Sequence, residues 1–225
     1  MCNALEGIMG EIGGSTTACC GRSAKGHCFL GYMRTAFAII LIAMYPWRIF
    51  YLDGENKEFL TSMSLWAHHF TTAAYIMLFI EHVTKGDLCC KSGSSSIGRA
   101  KCTTMLYQLA CVGQVIAFML MAGGLSGTKK VNYWFNGPAA ILILVDFAIS
   151  EVGWTFRNLL AHLVVVLIYV LTSMIASAFD TTVNKKLDWK GNKKDAWIMT
   201  FAFFGLWTVL FVLFTLIYEC KSRCR

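Results

Sequence analysis

LLAHLVVVLIYVLTSMIASAF, residues 159–179, decides the fold: 21 consecutive residues hold no Asp, Glu, Lys or Arg. A bilayer core about 30 Å thick is crossed by roughly 20 apolar residues in helical form. The run is continuous rather than alternating, which selects a helix over a barrel strand. Five further stretches read the same way: Phe29–Tyr51, Phe59–Ile80, Thr103–Leu125, Val131–Ser150 and Ala196–Tyr218. Arg34, Pro46 and Arg48 interrupt the first of them. The expected fold is therefore all-α, an integral membrane bundle of six transmembrane helices. A composition 56% hydrophobic and 15% charged over 225 residues departs from soluble averages in the same direction.

An even number of spans returns both termini to one side, face A. The reading divides the chain into an N-terminal Cys-containing segment, 1–28, a six-helix domain, 29–218, and a basic Cys-containing tail, 219–225. Face A also takes the 81–102 loop and the short 151–158 loop. Face B takes the turn near Asp53, the turn at Lys129–Lys130 and the 180–195 loop. Outside the spans, face A carries ten Lys or Arg and face B nine, counting Arg48. That near balance gives the positive-inside rule nothing to act on. The net charge of +7 reads as attraction to lipid headgroups. Membrane lipids are the expected partners and nucleic acid is not, because no soluble domain exists to bear a groove. Residues 1–28 lack a basic stretch followed by an apolar one, so the first span is expected to serve as the targeting signal.

Nine of the ten cysteines fall on face A: Cys2, Cys19, Cys20, Cys28, Cys89, Cys90, Cys102, Cys220 and Cys224. Only Cys111 lies inside a span. An oxidising lumen would favour disulfides, but nine is odd and two pairs are vicinal. A reducing cytosol favours reversible S-acylation of thiols beside membrane helices and cations. Cys19, Cys20, Cys89, Cys90, Cys220 and Cys224 stand in such contexts. Both termini are accordingly expected in the cytosol, with endomembrane and plasma membrane both open. No Cys-x-x-Cys pair supports a metal site.

Polar groups at membrane depth are costly and mark either a function or a structural pair. Thr61, Ser64, His68, Thr72 and Tyr75 recur at three- and four-residue spacing and form one stripe on the second helix. It reads as a cavity lining or as a helix interface held by hydroxyls. Arg34, Asp146 and His162 lie within about 7 Å of helix rise from the face-A ends of their spans. They read as an Arg–Asp pair fixing helix order, or as a proton or substrate path. No cofactor is expected; two-haem bundles need four well-placed histidines, whereas His27 lies outside the membrane and His68 and His69 are adjacent. Soluble-enzyme signatures are absent: Gly21-x-x-x-x-Gly26 continues with His27 where a phosphate loop requires Lys.

The stretch Ile141 to Trp189 reads ILILVDFAIS, then WTFRNLL from Trp154, then YVLTSMI from Tyr169, then Leu187-Asp188-Trp189. It resembles the androgen-induced-protein-like and rolling-stone-like membrane proteins over some 70 residues. In that family an acidic residue closes helix four, an Arg opens helix five, a Tyr follows twelve residues on, and Leu-Asp-Trp lies in the next loop. Phe59-Leu60-Thr61 also looks like the family's Phe/Tyr-Leu-Thr. The androgen-induced branch implies an intramembrane threonine hydrolase of fatty-acid esters of hydroxy fatty acids, with a Thr nucleophile and a His base. Thr61 takes the nucleophile position. The base position, ten residues before Asp146, holds Asn136; a shifted frame gives Ala140. Asn cannot accept the proton, so the hydroxyl would stay a poor nucleophile. His68 shares the face of Thr61 but lies about 10 Å deeper along the helix.

The expected function is a multi-pass membrane protein of this type, non-catalytic or with a lipid-related role. Two alternatives stand beside it. One is a threonine hydrolase with a replacement base and a fatty-acyl ester substrate. The other is a small transporter using the helix-two stripe and Asp146.

Overall fold

The computed structural model describes residues 24–51, 62–85, 97–123, 130–150, 152–179 and 187–223. They form six helices: α1 Ala24–Tyr51, α2 Met63–Lys85, α3 Ile97–Ala122, α4 Lys130–Ile149, α5 Asn158–Ala178 and α6 Lys193–Arg223. Each overlies one of the apolar runs. The described residues are thus all-helical. Thr61, Cys19, Cys20, Cys89, Cys90 and Cys224 lie outside them.

Three helices are long and apolar enough to cross a membrane: Gly98–Ala122, Asn158–Ala178 and Lys193–Arg223. By this measure three of the expected six spans are seen among the described residues. The other helices also bury polar side chains: Arg34 on α1, Ser64, His68, Thr71, Thr72, Glu81 and His82 on α2, Asn136 and Asp146 on α4. Within α1 and α4 the described apolar stretches are Leu30–Met44 and Asn136–Ile149.

Helix α2 packs against α1, α3 and α4; α1 and α3 each also touch α4. Helix α6 rests on α3 and carries α5. The bundle sets buried polar side chains into an apolar core and turns large apolar side chains outward. Leu160, Phe179 and Phe201 are 72%, 75% and 68% exposed, whereas Arg34, Asp146 and Gln114 are 0% exposed. This reversal suits a hydrocarbon solvent, where exposed aliphatic groups cost nothing and buried polar groups must satisfy one another.

Helix ends are closed by side chains. The Lys221 ammonium donates to Phe147 O at 2.8 Å and to Ser150 O, occupying carbonyls at the C-terminus of α4 where a cation is favoured. Lys221 lies in α6, which continues to Arg223, so residues 219–223 of the tail prolong that helix. Helix α1 likewise begins at Ala24, within the N-terminal segment. In the short 151–158 loop, Val152 and Trp154 are buried, and Trp154 stacks on Phe214 at 5.1 Å.

Leu187-Asp188-Trp189 forms a turn ahead of α6. Asp188 Oδ1 accepts from Gly191 N, Ser177 Oγ and Lys190 N, each at 3.0 Å. A Cβ on Gly191 would collide with that carboxylate, which explains the glycine. The Gly191 amide first, then Ser177 and Lys190, hold the Asp188 carboxyl below its ordinary range. The turn is therefore fully held above the ordinary carboxyl range and loosens as pH falls through the lowered folded value. Asp188→Asn is expected to flatten the acid limb of the thermal-stability profile, measured by melting the purified protein between about pH 3 and about pH 7.

Candidate functional site

Two polar clusters occupy the interior of α1–α4. The first is near the face-B ends. Asn136 Nδ2 donates to Ser64 Oγ at 2.6 Å, and the Ser64 hydroxyl faces Asn136 Oδ1 at 3.0 Å. Gln114 Nε2 on α3 donates to Asn136 O at 3.2 Å and to its Oδ1 at 3.4 Å. The Thr71 hydroxyl is shared between Ala67 O at 2.7 Å and Gln114 Oε1 at 3.2 Å. Three helices are thereby tied at one level by side chains that are all less than a tenth exposed. Asn136 uses both its amide group and its carbonyl oxygen in this network, so its role is that of a hydrogen-bond partner.

The stripe on α2 is real as geometry: Ser64, His68, Thr72 and Tyr75 are all buried on the side facing the bundle. The sequence reading missed Thr71 and Gln114. Both sit in runs read as apolar, and a lone hydroxyl or amide in such a run gives no periodic signal.

The second cluster lies toward face A. Arg34 Nε donates to Asp146 Oδ1 at 3.0 Å and Nη2 to Oδ2 at 3.3 Å, a fork on a carboxylate with both side chains 0% exposed. Nη1 approaches His82 Nε2 at 3.1 Å. An Arg guanidinium only donates, so Nε2 is the acceptor and the imidazole is neutral with its proton on Nδ1. Tyr75 and Tyr107 stand within electrostatic reach of both Arg34 and Asp146. Tyr107 Oη pairs with Ser150 Oγ at 3.2 Å. Next along α2, Glu81 Oε1 accepts from Arg99 Nε at 2.7 Å; Arg99 is 27% exposed and Glu81 1%.

The expected grouping of Arg34, Asp146 and His162 is thus met by the first two, and the histidine on Arg34 is His82. His162 instead accepts Trp207 Nε1–H on its Nδ1 at 3.1 Å and packs edge-on against Phe211 at 4.6 Å. It belongs to the α5–α6 contact. His82, expected at the face-A end of the second helix where it could approach His162, instead meets Arg34; it lies past the apolar run that ends at Ile80, where α2 continues to Lys85. Among the acylation candidates Cys220 is exposed near the end of α6, beside Lys221; Cys102 on α3 is also exposed, and Cys111 is buried.

No family model, curated protein or solved structure matches this chain.

Proposed function

We propose that this chain is a six-span integral membrane protein, non-catalytic at the Thr61–Asn136 position, whose buried polar residues lock helix order. The observation that carries the reading is the engagement of Asn136, through both Nδ2 and Oδ1, by Ser64 and Gln114. A residue at the place of a general base is fastened into a three-helix hydrogen-bond network, and as an amide it accepts no proton near neutrality. The inward placement of the polar groups of α1, α2 and α4 supports counting these helices as spans alongside the three apolar ones. Face A is assigned to the cytosol on the clustering of cysteines beside Lys and Arg.

The likeness to the rolling-stone branch of its family suits a membrane role without a settled reaction. A serine/threonine hydrolase probe applied to the unmodified protein in native membranes is expected to leave no label; strong labelling at Thr61 would return the threonine-hydrolase reading.

A lipid-related role adds acylation on face A. Cys220, exposed beside Lys221 and followed by Ser222 and Arg223, is the described acylation candidate placed for it. One acyl chain adds little to a protein held by several helices, so its effect would be to pin the tail against the bilayer. Acyl exchange on protein from a eukaryotic host is expected to show hydroxylamine-sensitive modification at Cys220 or another of the six candidates. Full occupancy of all six as free thiols would remove acylation from the account.

A further inference from the structure

We infer that His82 is a proton-sensitive latch on α1: its neutral imidazole holds the Arg34 guanidinium, and a proton on Nε2 releases it. Arg34 is the one charged side chain that α1 contributes to the buried polar set among the described residues. It is held from two sides, by Asp146 of α4 and by His82 of α2. The Nε2 lone pair that receives Arg34 Nη1–H is the same lone pair that a proton would occupy. With His82 neutral, the Arg34–Asp146–His82 group sums to zero charge, and so does the neighbouring Glu81–Arg99 pair. Protonating His82 leaves two cations against a single carboxylate inside the bundle. Nη1 must then withdraw, and α1 loses the attachment that runs through His82.

Arg34 from α1 contacts His82 directly; around that contact stand Asp146 from α4, bonded to Arg34, Tyr75 from α2 and Tyr107 from α3, both within reach of Arg34 and Asp146, and the Glu81–Arg99 pair of α2 and α3. His82→Gln removes only this imidazole, so a difference between the two proteins in their response between about pH 5 and about pH 8 reports His82. The partly exposed Arg99 lies toward face A and is bonded to Glu81, the residue preceding His82. The latch does not depend on whether the Thr61–Asn136 position is catalytic.

Gln places a hydrogen-bonding atom close to that of His Nε2 and does not titrate. In lipid nanodiscs, the unfolding midpoint of the natural protein is expected to fall by at least about 2 °C more than that of His82→Gln between about pH 8 and about pH 5. Superimposable pH profiles would overturn the latch. If His82→Gln fails to fold, the natural protein still decides the matter by NMR. Glu81-His82 is the only Glu-His pair in the chain, so carbonyl-labelled Glu with nitrogen-labelled His marks this residue alone. An unprotonated Nε2 at about pH 8 that gains its proton on acidification is the expected result. An Nε2 that already carries a proton at about pH 8 contradicts the latch.

Discussion

Asn136→His is expected to create hydrolase-probe labelling where the natural protein shows none. A positioned base contributes on the order of 10²–10⁴-fold in rate, and the amide supplies none of it. Among the described residues, the hydroxyl in contact with position 136 is that of Ser64, with Asn136 Nδ2 at 2.6 Å from Ser64 Oγ. An imidazole built at 136 would lie beside Ser64, and Ser64→Ala in the same background should abolish the label. Labelling that persists in Ser64→Ala and vanishes in Thr61→Ala would instead follow the nucleophile that the family resemblance implies. The substitution also removes the amide that ties α4 to α2 and α3, so folding is checked alongside by gel filtration. Absence of label from a folded Asn136→His protein would leave the resemblance as one of scaffold alone.

Asp146→Leu should be the most damaging single change in the interior. It leaves the Arg34 guanidinium, 0% exposed, with His82 as a neutral acceptor and no counter-charge on α4. Breaking a buried pair by removing one partner typically costs about 3–5 kcal/mol, because the survivor keeps its desolvation penalty. Reversible unfolding in mixed micelles reads the loss directly. A cost below about 1 kcal/mol, the level of an exposed pair, would mean that water reaches Arg34.

What could be read from the sequence follows from the range of each signal. The apolar runs are contiguous, so all six appear as helices. Arg34 and Asp146 were matched by depth alone, since charges at one level of a bilayer have few other partners. The Ser64–Asn136 contact joins residues 72 apart in sequence and depends on how two helices are rotated, which no local pattern encodes. Helix ends were misjudged where polar residues continue a helix past its apolar stretch. Glu81 and His82 prolong α2, Ile97–Lys101 start α3 early, and Lys221 belongs to α6. Hydropathy sees a span only as far as it is greasy, and the helix goes on to bring charged groups to the face-A rim. The burial of Trp154 within a short loop was hidden for a related reason: its partners Phe147, Phe211 and Phe214 come from α4 and α6.

The claim that the polar interior is architecture is tested most directly by a double-mutant cycle on Arg34 and Asp146. Arg34→Met and Asp146→Leu are measured singly and together by unfolding in mixed micelles. If the pair is a helix-order lock, the double variant should recover most of the stability lost by Asp146→Leu alone, with a coupling energy of about 2 kcal/mol or more, because replacing both charges by apolar groups leaves nothing unpaired. Additive losses, with the double variant worse than either single one, would show that the two residues do not act as a pair and would contradict the account.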